Sequence, residues 1–410
     1  MESLNQTPNK MKKLYLKKIT LFIALQFCFL IAVSQESNTQ SFEEYKKQQQ
    51  AEYNNYLESE TKAFDEYLRQ EQQAFDNFKK EIENYWGKDD FKTSTKKDWV
   101  EYSDDKKQRT DVDFENGTAE VEILLTETEA KNPEIVKNEL KDAVENLVNS
   151  KGKTKDYSTE AEEPEALLDE PVLEGQISNE EGKIVEPEDS EEFAEEVIEN
   201  QQVEVEEVKG EDGKSRYKVS LSLSLAPDHI KVRAEKVEQN VNQYAKQFGL
   251  AVELVYAVIH TESYFNPKAR SWVPAFGLMQ IVPKYAGRDA YNYVYKEDKL
   301  LPANYLYQSD KNIELGTAYL KLLMTRELKK IKDPECKQLC AIASYNTGAG
   351  NLSRAFTGKT NIRSASNQIN KLDYDELYEF LSVNLPYDET RKYIKKVTER
   401  MKLYKDWMGN

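Results

Sequence analysis

Cysteine is scarce in this chain, with three in 410 residues. A disulfide framework is therefore excluded as the basis of the fold. Histidine is scarcer, with only His229 and His260, too few for an ordinary zinc site. The mean hydropathy is −0.79 and 32% of residues are charged, which rules out a polytopic membrane protein. No phosphate loop, dinucleotide fingerprint or Asp-x-Asp-x-Asp-Gly calcium loop occurs. No cofactor, no metal and no nucleic-acid partner is expected.

What apolar run there is lies at the start. Lys12, Lys13, Lys17 and Lys18 precede Ile19 to Val33, and Ala32-Val33-Ser34 offers a small-residue cleavage site. That is the pattern of a secretory signal, so residues 1–34 are expected to be a signal peptide. The run is too short for a span, which takes roughly twenty residues. Cys28 follows Phe27 rather than a small residue, so a lipid anchor is not expected. The net charge of −17 hides an asymmetry. From Ile230 onward there are 28 Lys and Arg against 20 Asp and Glu. The last part is basic by eight charges and the rest acidic by 25. A basic surface can be drawn to an anionic polymer, although it is also an ordinary way to stay soluble.

Behind the signal, Phe42/Tyr45, Tyr53/Tyr56, Phe64/Tyr67 and Phe75/Phe78 recur every eleven residues. Eleven residues fill three helical turns, so these pairs share one face of a long helix. Packing on a partner is the favoured reading of that stripe; a glycan-stacking face is the alternative. Val112–Gly117 reads as a strand entering a turn, and Ala119, Val121, Ile123 and Leu125 alternate as a second strand. Asn132-Pro133-Glu134 opens a helix, with Asn as cap and Pro in the first turn. Residues 160–212 are rich in Glu, with Lys183 and Lys209 the only cations. Mutual repulsion and few apolar groups predict a disordered acidic insert whose removal costs little stability. Tyr217, Val219, Leu221, Leu223 and Leu225 then alternate as a strand completing the sheet.

The chemistry lies in the C-terminal part. His260-Thr261-Glu262-Ser263-Tyr264-Phe265-Asn266-Pro267 is followed by Gly277-Leu278-Met279-Gln280, and later by Ser344-Tyr345-Asn346-Thr347-Gly348. Ala251, Leu254, Val255 and Val258 form an apolar helix face, and Glu262 extends it at helical spacing. A carboxyl at that position is partly desolvated, which raises its pKa and lets it donate a proton near neutrality. Taken alone, Glu262 reads more readily as a buried structural carboxylate held by a backbone or Arg partner. Asp289 and Glu314 are carboxylates nearby in sequence, for which surface or packing roles are favoured. His260 reads as a packing or helix-surface residue. Cys336 and Cys340, four apart, are either bridged or paired buried thiols.

These ordered motifs resemble the Glu-Ser, Gly-Leu-Met-Gln and Ala-Tyr-Asn motifs of the soluble-lytic-transglycosylase family, goose-lysozyme-like enzymes that cut bacterial cell-wall glycan. Ser344 stands where that family commonly has Ala. Pro386-Tyr387-Asp388-Glu389-Thr390 leading to Tyr393 resembles its late Glu-Thr-x-x-Tyr element. The N-terminal half resembles the partner domain of the membrane-bound lytic murein transglycosylase C family, through its aromatic helix, the turn ending at Gly117 and Leu225-Ala226-Pro227-Asp228-His229.

The resemblance implies an α+β chain: a mainly α lysozyme-like catalytic domain at 229–410, preceded by a smaller α/β N-terminal domain at 35–228. It implies a lyase that uses Glu262 first as acid and then as base, forming a 1,6-anhydro sugar. Ser263, Met279, Gln280, Tyr345, Asn346 and Tyr393 are the implied substrate-binding residues. From their chemistry, Met279 would offer a soft apolar wall, Gln280 a donor and an acceptor, Tyr345 a stacking ring and Asn346 an amide. Packing inside helices is the other reading of Met279 and Asn346. Gly277 would let the backbone approach the cleft. The implied partners are peptidoglycan glycan strands, with association to the outer membrane or cell-wall machinery. The implied location is the periplasm.

Overall fold

The computed structural model describes residues 39–409 except 161 and 273. The signal segment and Cys28 lie outside the described residues, as do the side chains of Phe42, Tyr45, Tyr53 and Tyr56. The described chain divides into two compact units, one up to Lys62 and one from Ala63. The described part of the first is helical and polar, with contacts one turn apart such as Lys62 to Glu58 at 2.7 Å and Gln50 to Asn54 at 3.0 Å.

The expected long helix runs Thr39–Trp86. Gly87, at φ 88°, ends it in a conformation that suits glycine. Within the second unit its aromatic stripe is a packing surface. Phe64, Phe78, Ile82 and Trp86 are buried. Phe75 meets Phe91 and Tyr157 edge-on, and Phe78 meets Tyr102 at 5.6 Å.

Five antiparallel strands form one sheet in the order β1-β2-β3-β5-β4. They are β1 (Asp98–Tyr102), β2 (Gln108–Asp113), β3 (Thr118–Leu125), β4 (Glu204–Lys209) and β5 (Ser215–Ser224). The period of two sorts their side chains between faces. Val100, Tyr102 and Leu124 pack with Phe78, Ile82 and Trp86. Trp99, Val121, Ile123, Val219 and Leu221 point the other way, into a core shared with the helix Pro133–Asn149. Asn132 caps that helix, accepting from Glu134 N at 3.1 Å. On the first face the buried Arg109 grips Glu122 through two nitrogens and stacks on Trp86.

The acidic insert is not disordered, which corrects the expectation from charge. It contains the helix Ser190–Asn200 and β4. Val172, Leu173, Ile177, Val185, Phe193, Ala194 and Val197 are buried in the same core as Trp99 and Leu221. Its repulsion is relieved by lysines from elsewhere in the chain. Lys141 reaches Glu191 at 2.7 Å and Glu195 at 2.9 Å, Lys155 reaches Glu162 at 3.2 Å, and Lys236 reaches Glu174 at 3.1 Å. Deleting this segment should therefore unfold the sheet region rather than be neutral. Phe193→Ala alone should cost about 3–5 kcal/mol, read by chemical denaturation of the full chain; a loss below about 1 kcal/mol would show that the segment does not share the core.

The rest of the second unit is helical. The helices His229–Lys236, Glu238–Phe248, Val252–Ser263, Ser309–Leu322, Pro334–Thr347 and Asp388–Gly409 surround one core with further helices between them. The α+β reading thus holds. Among the described residues no helix is long and apolar enough to cross a membrane. Cys336 and Cys340 are free and buried. The two regions are stitched by Arg233, which donates to Tyr264 O at 3.1 Å, Phe114 O at 3.1 Å and Gln176 Oε1 at 2.6 Å. His229 packs beside it, against Gly117.

Candidate active site

Glu262 occupies the last turn of the helix Val252–Ser263. The sequence suggested an amphipathic helix, but residues 254–260 are buried all round, because helices of the same core enclose it. His260, a packing residue, bonds Tyr404 Oη at 3.0 Å. Behind Glu262 the chain turns sharply. Tyr264 and Phe265 both take left-handed conformations, at φ 52° and 60°, which cost a non-glycine residue about 1–3 kcal/mol each. Surrounding contacts hold that strain. Arg233 binds the Tyr264 carbonyl, and Tyr264 Oη donates to Glu115 Oε1 at 2.5 Å.

Asn266 follows, fully buried. Its Nδ2 donates to Thr95 O at 3.2 Å and Asp98 O at 3.0 Å. These bonds hold the loop ahead of β1 over the end of the Glu262 helix. Lys96 on that loop places Nζ 3.2 Å from Glu262 Oε2 and 4.0 Å from Glu389 Oε1. Burial pushes the Glu262 carboxyl above the usual range; Lys96 and the Tyr393 hydroxyl pull the other way, and Glu389 adds to the rise. The Tyr393 hydroxyl is buried and faces the carboxyl without completing a hydrogen bond of regular geometry. Burial, and then the Glu262 charge, push Tyr345 well above the ordinary tyrosine range.

The Gly277–Gln280 loop is held by buried polar groups. Ser263 Oγ lies 2.8 Å from Leu278 O and 3.0 Å from Ile259 O, so its single proton lies between the Glu262 helix and the loop. Asn312, fully buried, accepts from Met279 N at 2.7 Å and donates to Phe276 O at 2.8 Å and Leu306 O at 2.6 Å. Tyr345 Oη donates to Met279 O at 2.8 Å. Thr390 Oγ1 donates to Asn346 Oδ1 at 2.7 Å, joining the third motif to the late element.

Gly277 is needed for its contacts as much as for the cleft. At φ 72° a Cβ there would sit 2.4 Å from Leu306 O and from Asn312 Nδ2. Gly277→Ala should lower stability by about 2 kcal/mol or more, measured by thermal unfolding; an unchanged melting temperature would contradict this packing.

Some expectations need correction. Met279 offers no wall to a cleft: its side chain is completely buried against Gly316, and its backbone carries the loop's bonds. Gln280 has no free donor, because Nε2 is committed to Ala269 O and Gly277 O, both at 3.0 Å. Its buried Oε1 has no protein partner, so only an acceptor remains. Glu314 is buried and accepts from the Tyr295 hydroxyl, and Asp289 is exposed in the first turn of its helix. Those are packing and surface roles. Among the described residues no cluster could hold a metal ion. A cavity of about 110 Å³, lined by Tyr67, Glu71, Tyr157, Phe276 and Tyr307 among others, lies apart from Glu262. Sequence reasoning missed Lys96 and the charge of Glu389. A polar Thr-Ser-Thr-Lys-Lys stretch carries no signal that would have found Lys96.

Residues 239–368 match the family described as Transglycosylase SLT domain. Residues 45–236 match the N-terminal domain of membrane-bound lytic murein transglycosylase C. The protein of that name from Haemophilus ducreyi is 30% identical over 80% of this chain and 84% of its own length. Its namesake from Yersinia enterocolitica is 32% identical over 80% of this chain and 88% of its own. A solved structure of lytic transglycosylase Slt from Pseudomonas aeruginosa, an inactive mutant, is 26% identical. It covers 42% of this chain and 24% of that one, at a TM-score of 0.33.

Proposed function

This chain belongs to the membrane-bound lytic murein transglycosylase C family, and we propose that it breaks the β-1,4 bond between N-acetylmuramic acid and N-acetylglucosamine in peptidoglycan, leaving a 1,6-anhydro end. The observation that carries this reading is the Glu262 carboxyl: buried, raised in pKa, and flanked by an ammonium and two tyrosine hydroxyls. A raised carboxyl keeps a proton to give to the departing sugar oxygen. Once ionised, it is the base that takes the proton of the C6 hydroxyl, which closes the ring without water. The substrate's own acetamido group replaces a second carboxylate at the sugar carbon. Tyr345 and Asn346, on the helix Pro334–Thr347, are the residues we assign to the sugar.

One observation favours a second reading. Glu389 is another carboxylate that acts on Glu262, and a hydrolytic muramidase would use such a group to hold a water. Its side chain is 76% exposed, which suits a surface partner for Lys96 better than a tuned base. Mass spectrometry of muropeptides released from purified sacculi separates the two: anhydro ends support the lyase, and reducing ends would overturn it. The two-domain organisation, with signal cleavage near Gln35 and work in the periplasm, belongs to the same proposal. So does a basic C-terminal part that meets the anionic wall, with association to the outer membrane.

A further inference from the structure

We propose that Lys96, a positioning residue from outside the catalytic helices, sets how tightly Glu262 holds its proton, with Glu389 as the second partner that shares it. This rests on Glu262 being the acid.

Three observations carry it. First, the backbone that carries the ammonium is fixed. Asn266 Nδ2 holds the backbone on both sides of Lys96, at Thr95 O and Asp98 O, and Arg270 N donates to Thr95 O at 3.3 Å. Second, its neighbour cannot replace it: Lys97 turns away to Asp113 and Glu115, both at 3.1 Å. Third, Lys96 lies within reach of two carboxylates in contrasting surroundings, Glu262 at 5% side-chain exposure and Glu389 at 76%.

The charged and titratable groups facing Glu262 come from three elements. Lys96 comes from the loop ahead of β1, Glu389 and Tyr393 from the helix Asp388–Gly409, and Tyr345 from the helix Pro334–Thr347. On its own helix His260 bonds Tyr404, and Arg400 bonds Thr261 Oγ1 at 3.0 Å. Lys96 is therefore the cation in contact with the carboxyl among the described residues. A group that must first give a proton and then take one needs an intermediate affinity. Burial alone would hold the proton too tightly for the second half. An ammonium at 3.2 Å favours the carboxylate, and Glu389 moderates that effect by competing for the ammonium.

The sign follows. Without Lys96 the carboxyl stays protonated to higher pH, so the alkaline limb of kcat/KM moves up. Without the Glu389 charge, Lys96 acts on Glu262 alone and the limb moves down. The test is the pH dependence of kcat/KM on purified sacculi for the full chain. Lys96→Met should shift the alkaline limb up by about one pH unit or more, and Lys96→Arg should restore it. Glu389→Gln should shift it down by a smaller amount, and this shift should shrink in the Lys96→Met background to what the direct repulsion between the two carboxylates supplies. An unmoved limb in folded Lys96→Met, or loss of activity at every pH, overturns the proposal. Should Lys96→Met not fold, an unmoved or upward limb in Glu389→Gln overturns it instead. Glu262→Gln is the control for the reading beneath: if that variant stays active, the acid assignment fails, whereas an inert Glu262→Gln with an unmoved Lys96→Met limb removes only the role of Lys96.

Discussion

Glu262→Gln is expected to stop glycan release from purified sacculi while leaving the fold intact. The amide keeps the shape of the acid but has no proton to transfer, and general acid catalysis alone contributes roughly 10²–10⁴-fold. The stability arm carries a sign. Burial raises the folded-state pKa of Glu262 above the ordinary value for a glutamate. Its ionised form therefore weighs against the fold as pH rises above the unfolded value, and less so below it. Replacing it by a neutral amide should leave the melting temperature at neutral pH unchanged or higher. Activity within a few-fold of the parent chain would remove Glu262 from the chemistry. Loss of activity with a collapsed melting curve would instead make it structural.

Asn312→Ala should lower stability and activity together. Asn312 is fully buried and satisfies Met279 N, Phe276 O and Leu306 O at once. Alanine leaves a buried donor, Met279 N, and a buried acceptor, Leu306 O, with no partner, while Phe276 O keeps its bond from Ile281 N at 3.0 Å. Each costs about 1–3 kcal/mol, so the sum should be about 2 kcal/mol or more. The Gly277–Gln280 loop would lose its anchor, so activity should fall as well. Chemical denaturation and lysis of sacculi read the two arms. A loss of stability below about 1 kcal/mol would mean the loop does not depend on this side chain.

The candidate acid was legible because its surroundings are carried locally, whereas its reaction class came only with the family resemblance. Glu262 lies four and seven residues after Val258 and Val255, and helical spacing alone places it beside them. The alternation from Tyr217 to Leu225 likewise announced β5, and Asn132-Pro133 announced the helix Pro133–Asn149. β4 gave no such signal: as an edge strand, five of its six residues are exposed, so selection for burial never imprinted a pattern on it. The insert misled for a related reason. Its charges are counted along the sequence but neutralised across space, by Lys141, Lys155 and Lys236. Met279 misled because a motif position names a residue without saying which atom is used. Here it is the backbone that matters, while the side chain fills the space over Gly316.

By itself, the sequence singled out Glu262 as the candidate acid and announced three strands and several helices. Those are properties of short windows, where periodicity, capping and residue type act within a turn or a strand. The tertiary structure alone decided what surrounds the acid. Lys96 is 166 positions from Glu262, and Glu389 arrives from the far side on another helix. Asn266 and Arg233 bring these segments together through buried hydrogen bonds to backbone carbonyls, which any residue type can offer. A carbonyl leaves no trace in sequence, so the contacts that set the acid's electrostatics become visible only once the chain is folded.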